Sequence, residues 1–281
     1  MTRTSVEAEI GALSDPGKVR PNNEDHYLVS RFQRTMTTVL TNLPEGTVPS
    51  ESVDTVYGML VADGMGGAAA GEVASRTTIS TLVELALATP DWIMRLGDTP
   101  AETVLDRMQQ RFQKLGEALL DRARADPKLS GMGTTLTLVL TLGPDLILAH
   151  IGDSRAYLFR HGQLVHLTRD QTVAQSLADA GAILPEDVAR HPMRHMLTSA
   201  ITTKGKPISA ELHHLRLENG DQTLLCSDGL TDMVTDAGIA ELLGGPGSAA
   251  DVCRALVDRA LAAGGKDNVT VVLGRYRISA D

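Results

Sequence analysis

The sequence predicts an α+β fold in which antiparallel sheets are packed between helices. Strand-like and helix-like runs are segregated along the 281 residues, and the strand-like runs in the middle of the chain are joined by short connections. Connections this short cannot cross over between parallel strands, so they indicate antiparallel pairing. A chain of this length with 42% hydrophobic residues can bury a large core, and we expect a single domain over residues 1–281.

The first third of the chain predicts three strands. Apolar and polar residues alternate over residues 6–12, His26–Phe32 is a second strand-like run, and Met59–Ala62 is short and apolar enough to be a central strand. Residues 33–57 lie between the last two runs and form a candidate hairpin insertion. Turn-forming residues at 42–54 indicate its tip.

Two helices and a group of strands follow. Apolar residues recur at helical spacing over Glu72–Ala88 and Ala101–Ala125. Four strand-like runs come next, and their glycine-containing connections predict one antiparallel meander. These runs are Thr134–Leu142, Leu146–Ile151, Arg155–Arg160 and Gln163–Leu167.

The last third begins with a polar segment at Thr168–Ser199, which we expect to form a surface flap of about 168–199. It contains a short helix near Val173–Ala180. Two strands, a helix and a closing strand are predicted after it, at Glu211–Leu217, Gln222–Ser227, Ala249–Ala263 and Asn268–Ile278.

Composition argues against several classes of function. A formal net charge of −9 without a long run of Lys or Arg is unsuited to a nucleic-acid backbone. No apolar stretch reaches the roughly 18 to 20 residues of a membrane span, and the first residues lack the apolar centre of a signal peptide. Cys226 and Cys253 form neither a disulfide framework nor a zinc site. We therefore expect a cytoplasmic protein with no membrane or nucleic-acid partner.

Acidic residues recur where strand-like runs end and glycine turns begin. Carboxylates at strand ends can converge at one edge of a sheet, where they form a negatively charged pocket that favours divalent cations. An all-oxygen set of ligands without His or Cys selects hard ions such as Mg²⁺ or Mn²⁺. The acidic positions are Glu24 and Asp25, Asp63, Asp153, Asp228, and Asp267.

The order of these motifs resembles that of the metal-dependent type 2C protein serine/threonine phosphatases of bacterial type. The resemblance extends from about Ile10 to the last strand and implies a four-layer α-β-β-α sandwich, with two antiparallel sheets flanked by helices and a two-metal site at one end. The motifs are Arg20-x-x-Asn23-Glu24-Asp25, Val61–Gly67, Gly133-Thr134-Thr135, Gly152-Asp153-Ser154-Arg155, Ser227-Asp228-Gly229 and Asp267-Asn268.

The resemblance also implies metal ligands. Asp63 would bridge two Mn²⁺ or Mg²⁺ ions, the Gly64 carbonyl would complete one of them, and Asp228 and Asp267 would hold the other. Asp153 resembles the residue that binds a third, weaker ion together with Asp228. The charges agree, because the carboxylates of Glu24, Asp25, Asp63, Asp228 and Asp267 sum to −5, whereas two divalent ions and Arg20 sum to +5.

The catalytic roles implied are hydrolytic. Two ions about 3.5 to 4 Å apart can activate a water for attack on phosphorus, so no protein nucleophile is needed. Arg20 would grip two phosphate oxygens with its planar fork, and Glu24 and Asp25 would act through metal-bound waters. Met65 stands where eukaryotic members carry a histidine general acid, so we expect a metal-bound water near Asp153 to supply the proton instead.

The expected function is Mg²⁺- or Mn²⁺-dependent hydrolysis of phosphoserine and phosphothreonine in proteins. The expected partners are phosphorylated proteins, a serine/threonine kinase among them. The rival class is a binding module, a catalytically weak relative that recognises phosphoproteins, and metal-dependent hydrolysis of a phosphopeptide separates the two.

Three local motifs have other interpretations that we disfavour. Gly64–Ala69 fits a dinucleotide loop, but Glu84 falls in a helical run where a second strand should end. Cys253–Arg259 has the bare spacing of a cysteine phosphatase without its glycines, and Gly152–Ala156 half-matches a nucleophile elbow but leads into a strand. Four histidines show no metal spacing and are expected at surface or strand positions: His191, His195, His213 and His214.

Overall fold

Two antiparallel sheets face each other in the computed structural model, and helices cover their outer faces. The structure describes residues 4–44, 46–66, 70–88, 101–204 and 208–280. The order of layers is α-β-β-α, so the predicted fold class is confirmed. Among the helices of the described residues, none is both long enough and apolar enough to cross a membrane.

The first sheet has five strands. Its central strands carry the ends that lead into the Ser227-Asp228 and Asp267-Asn268 motifs. In spatial order the strands are β1 (Thr4–Asp15), β12 (Val269–Ala280), β11 (Gln222–Cys226), β7 (Arg155–Arg160) and β8 (Gln163–His166).

The second sheet has seven strands and is built around the hairpin of β2 (Asp25–Thr37) and β3 (Glu51–Met65). β3 also pairs with β5 (Leu136–Leu142) and, at its end, with β4 (Gly133–Thr134). The remaining strands are β6 (Asp145–Ile151), which pairs with β5, β9 (Ile201–Thr202), which pairs with β4, and β10 (Glu211–Arg216), which pairs with β6.

Six α-helices lie within the described residues. α1 (Ala70–Ala88) and α2 (Ala101–Ala125) cover the second sheet, whereas α5 (Asp236–Leu243) and α6 (Ala249–Ala262) cover the first. α3 (Val173–Asp179) belongs to the flap, and α4 (Asp228–Thr231) follows β11 directly. Short 3₁₀ helices occur at Pro127–Leu129 and Pro185–Arg190.

The apolar core is divided by the sheets into three layers. Successive residues of one strand enter different layers, because side chains alternate across a strand. On β12, Val271 and Leu273 pack under α6, whereas Val272 lies between the sheets. Strands with both faces buried read as continuous apolar runs, which explains the composition of Met59–Ala62.

The predicted meander is wrong at its centre. β5 pairs with β6, and β7 pairs with β8, but β6 and β7 lie in different sheets. Gly152, with φ of 112°, turns the chain out of one sheet, and the link of residues 152–154 carries it to the other. Facing sheets lie about 10 Å apart, which three residues can span. A short connection therefore shows that two strands lie close together, but not that they pair in one sheet. Here the two strands lie in facing sheets.

The β2–β3 hairpin is longer than its two predicted strands. Pairing continues outward to Thr37 and Glu51, so much of the 33–57 insertion is an ordered ladder. Its turn lies between these two residues, and Val39 and Leu40 there are 84% and 92% exposed. The sequence pattern missed this extension because polar residues occupy both of its faces, which leaves no alternation to detect.

Candidate active site

The predicted acidic residues come together at one end of the sandwich, although they are far apart in the sequence. Asp63 lies near the end of β3, Asp153 in the link between β6 and β7, Asp228 at the start of α4, and Asp267 just before β12. They line a cleft of about 640 Å³ together with Glu24. Further residues that line the cleft are Arg20, Met65, Arg194, His195, Asp232, Met233, Lys266 and Asn268.

The carboxylates lie close enough to disfavour one another's charge. The pKa of Asp63 is raised well above its ordinary value, first by burial and then by the charges of Asp25, Asp228, Asp153 and Asp267. The pKa of Asp153 is raised for the same reasons, burial first and the charge of Asp228 next. Without a cation, the repulsion between these buried carboxylates destabilises the folded protein, and a bound divalent ion would offset that repulsion.

Asp25 illustrates the chemistry of the donor set. Its Oδ2 accepts a hydrogen bond of 2.6 Å from Ser227 Oγ, which itself accepts one of 3.0 Å from Thr270 N. Burial raises the pKa of Asp25 to about 7. Among the described residues Oδ1 of Asp25 is buried and has no hydrogen-bond partner. An oxygen left in this way suits a site that receives hard cations and their ligands.

The backbone of Asp63 is fixed by two threonines. Asp63 N donates to Thr135 Oγ1 over 3.0 Å, and the Asp63 carbonyl accepts from Thr135 N and from Thr134 Oγ1. Gly64 follows in close contact with its neighbours, because a Cβ there would lie 2.1 Å from the carbonyl oxygen of Gly71. Only glycine fits at this position, whatever role its carbonyl has.

Asn268 joins the two polypeptide segments that carry Arg20, Glu24 and Asp267. Its Oδ1 accepts from Glu24 N over 2.8 Å, and its Nδ2 donates to the carbonyls of Pro16 and Asn22, both over 2.9 Å. The side-chain amide, buried at 6% exposure, thus uses its oxygen and both of its hydrogens. The sequence motif Asp267-Asn268 gave no indication of this role.

Arg20 lies on the rim of the cleft and bonds to a predicted metal ligand. Its Nη2 donates to Asp267 Oδ2 over 2.6 Å, and the side chain remains 56% exposed. This bond and the charge of Asp267 raise the pKa of Arg20. The guanidinium is thus positioned beside the acidic cluster, on a side chain that is exposed to solvent.

His195 is exposed, as expected for a surface position, but its contact with the acidic cluster was missed because the flap brings it there. Its Nδ1 lies 3.4 Å from Asp228 Oδ2, and its Nε2 lies 3.2 Å from Asp232 Oδ2. These contacts with the carboxylates of Asp228 and Asp232 raise the pKa of His195 to about 10. Asp153, His195 and Asp228 each place one ligand atom within 4.8 Å of the others. No local spacing could have revealed this group, since the flap brings it together.

The other three histidines lie away from this cluster. His213 and His214 are on β10, bonded to Glu211 and Asp145, and the ring of His191 accepts a hydrogen bond from Met193 N. They therefore have local structural partners.

The flap is closed at its base and anchored to the first sheet. Thr172 forms an antiparallel bridge with Leu197. The bridge joins the first stem of the flap, around Thr172, to its second stem, around Leu197. Arg155 forms two parallel hydrogen bonds to Asp170, of 2.9 and 2.7 Å, directly before the first stem. Bidentate geometry of this kind is specific and strong, so the base of the flap has a defined position near Asp153.

The disfavoured motifs do not form the sites that their patterns suggested. Cys253 lies buried in the middle of α6, and burial raises the pKa of its thiol to about 12. Ser154 is buried and bonded to Thr135 Oγ1, in a link that leads into β7. Gly64 and Met65 pair antiparallel with β4, which no dinucleotide-binding unit has at this point, and residues 67–69 lie outside the described residues.

An α-β-β-α sandwich with an acidic cleft at one end of its sheets defines the class to which this protein belongs. The family model described as protein phosphatase 2C matches residues 50–261. The chain belongs to the protein phosphatase 2C family, as the resemblance of its motifs implied.

Individual relatives agree with this assignment. The serine/threonine protein phosphatase PstP of Mycobacterium tuberculosis is 38% identical over 274 residues, which are 97% of this chain and 46% of the relative. The chain thus spans about half the length of that protein. The serine/threonine phosphatase stp of Listeria innocua is 30% identical over 260 residues, which are 92% of each chain.

A solved structure extends the comparison. The catalytic domain of PstP in complex with two manganese ions superposes with a TM-score of 0.75 at 35% identity, covering 97% of this chain and all of that one. The arrangement of sheets and flanking helices is therefore that of a protein whose catalytic domain binds two manganese ions.

Proposed function

We propose that this protein is a manganese- or magnesium-dependent protein serine/threonine phosphatase. The observation that carries the proposal is the cluster of carboxylates in one cleft, which Arg20 also lines, with raised pKa values at Asp63 and Asp153. The pKa of the buried Asp25, whose charge acts on Asp63, is raised as well. Groups that disfavour one another's charge and lie together in a cleft mark a functional site. Similarity to proteins named as phosphatases supports the same activity.

The residues present fit two hard divalent ions. Asp63, the Gly64 carbonyl, Asp228 and Asp267 would hold them, and Asp153 with Asp228 would hold a third. When bound, such ions supply an activated water for in-line attack on phosphorus and neutralise the charge of the phosphoryl group. Manganese binding by a PstP structure supports manganese as the first choice.

The remaining groups act on the substrate and on the position of the water. Arg20 would donate to two oxygens of the phosphate group once its bond to Asp267 is exchanged, and this contact orients the phosphorus. Glu24 and Asp25 would act through metal-bound waters, with Ser227 fixing one oxygen of Asp25. The bond that breaks is the P–O ester bond, and the departing serine or threonine oxygen takes a proton.

The expected substrates are phosphorylated proteins in the cytoplasm, a serine/threonine kinase among them. A test is the release of phosphate from phosphoserine and phosphothreonine peptides by the purified chain, with Mn²⁺, with Mg²⁺ and with EDTA. We expect turnover with either metal and none with EDTA, and little turnover of a phosphotyrosine peptide. Tight binding of phosphopeptides without turnover would contradict the proposal and favour the weak, phosphoprotein-binding relative.

A further inference from the structure

His150 on β6 is a fully buried polar side chain that the proposed reaction does not use. It lies opposite Thr137 on the neighbouring strand β5. The side chains of both residues are on the face of the sheet where Val139 and Leu148 pack between the two sheets. An imidazole in that layer is costly unless its nitrogens are bonded. Burial lowers the pKa of His150 to about 4, so the ring is neutral near pH 7.

The bonds of His150 lead to the link that carries Asp153. Nε2 lies 3.1 Å from the Gly152 carbonyl oxygen, and Nδ1 lies 2.9 Å from Thr137 Oγ1. A neutral ring has one donor and one acceptor, and a carbonyl oxygen can only accept. Nε2–H therefore donates to Gly152, and Nδ1 is the acceptor that faces the Thr137 hydroxyl, whose oxygen also lies 3.2 Å from the Ser154 carbonyl oxygen.

The backbone of the link at residues 152–154 is also held by contacts with Thr135. Gly152 has a positive φ of 112°, and a Cβ there would lie 2.5 Å from Thr135 Cγ2. On the far side of Asp153, Ser154 Oγ is 2.8 Å from Thr135 Oγ1, the same oxygen that accepts from Asp63 N. The residues on both sides of the Asp153 carboxylate are thus fixed, one by His150 and the other by Thr135.

The Gly152 carbonyl is also shared with the flap. Gln171 N donates to it over 2.7 Å, and Gln171 Oε1 accepts from Gly152 N over 3.1 Å. The Gln171 carbonyl in turn accepts from Thr198 N over 2.8 Å, which ties the second stem of the flap to the first. A change at His150 therefore reaches Asp153 and both flap stems through one peptide group.

We propose that His150 is a positioning residue, whose Nε2–H fixes the Gly152 carbonyl and thereby holds the Asp153 carboxylate and the flap base in the arrangement required for hydrolysis. The inference rests on the proposed phosphatase function. The alternative is a histidine whose two hydrogen bonds only stabilise the core and do not control the position of Asp153. The positioning role depends on Nε2 in particular, so substitutions that keep only one of the two nitrogens distinguish these roles.

Two substitutions separate the nitrogens. The amide nitrogen of a glutamine can occupy the position of Nε2, whereas an asparagine reaches only that of Nδ1. We expect His150→Gln to keep phosphopeptide kcat/KM within about threefold of wild type, and His150→Asn and His150→Leu to lower it about tenfold or more, the range found for groups that orient metal ligands. His214→Leu, on the exposed strand β10, is the matched control and should leave the rate unchanged.

A double-mutant cycle tests whether His150 acts through Asp153. We expect His150→Leu to cost about tenfold in the wild-type background and little further in the Asp153→Ala background, because the residue that it positions is gone. Losses that multiply in the double variant would assign His150 a general structural role and overturn the proposal.

Hydrogen exchange in EDTA provides a readout that needs neither metal nor activity. Peptides that cover residues 150–173 and 194–200 should exchange faster in His150→Asn than in His150→Gln. Peptides from β11 should exchange at the wild-type rate in both variants. Equal exchange and equal kcat/KM in these two variants would overturn the proposal. This comparison does not depend on His150→Leu, so it is decisive even if that variant does not fold. An inactive wild-type protein would refute the phosphatase function instead, and the exchange comparison would still stand.

Discussion

Replacing Asp25 by asparagine should stabilise the metal-free protein near neutral pH, although it removes a group proposed to act in catalysis. Burial raises the pKa of Asp25 from 3.8 to about 7. A raised carboxyl pKa means that the folded state keeps a proton that the unfolded state has lost, so the contribution of Asp25 to stability falls as pH rises through this window. The asparagine side chain carries no charge at any of these pH values.

The magnitude follows from the shift. About three pKa units at about 1.4 kcal/mol each give roughly 4 kcal/mol of destabilisation above pH 7. An asparagine can still accept from Ser227 Oγ, but its amide group replaces the unpartnered Oδ1 and leaves a buried donor, which costs about 1 to 3 kcal/mol. We therefore expect a net gain of about 1 to 3 kcal/mol at pH 7.5, and no gain or a small loss at about pH 5.

Urea unfolding in EDTA at the two pH values measures this effect as a difference between variant and wild type. The difference is needed because other groups titrate as well: His150, with its pKa lowered to about 4, favours the folded state as pH rises from 5. Asp121→Asn, on an aspartate whose side chain is 72% exposed, is the matched control and should stay within about 0.5 kcal/mol of wild type. An Asp25→Asn variant that is less stable than wild type at pH 7.5, or whose advantage does not grow from pH 5, would refute the reasoning.

Three further predictions concern individual side chains. Arg20→Ala should raise KM for a phosphopeptide and lower kcat, with Arg20→Lys only partly restored, and unchanged kinetics would make this arginine a surface residue. Asn268→Ala removes three hydrogen bonds and should lower the free energy of unfolding by about 2 kcal/mol or more, and a loss below about 0.5 kcal/mol in urea would contradict its bridging role. Joint replacement of the two buried thiols Cys226 and Cys253 by serine, in a variant that folds, should leave turnover largely intact, and selective loss of activity would restore the thiol route.

Much of the fold could be predicted from the sequence, because its signals are local. Amphipathic spacing marked α2, and its residues Met108, Phe112, Leu115 and Leu119 are buried. The crossing between β6 and β7 could not be predicted in this way, since a short link is equally compatible with either partner sheet. α5 was also missed, because its eight residues lie beside a glycine-rich turn and offer barely two helical turns of pattern.

The acidic part of the site was accessible from sequence order, whereas its supporting bonds were not. Asp63, Asp153 and Asp228 follow strand-like runs, so their convergence could be anticipated. His195 and Asn268 act through contacts made across the fold, from the flap to α4 and from the residue before β12 to the segment before β2. Such contacts leave no periodicity or spacing in the sequence, and only the folded structure reveals them.

We propose above that the carboxylate cluster holds the metal ions that make this chain a phosphatase. The most direct test is phosphate release from a phosphothreonine peptide by Asp63→Asn over a titration of Mn²⁺, beside wild type and Asp121→Asn. We predict that Asp63→Asn lowers the rate at least about a hundredfold at every Mn²⁺ concentration while the control matches wild type, because a lost ligand should cost more than a lost supporting group. A folded Asp63→Asn variant with most of the wild-type rate would contradict the account.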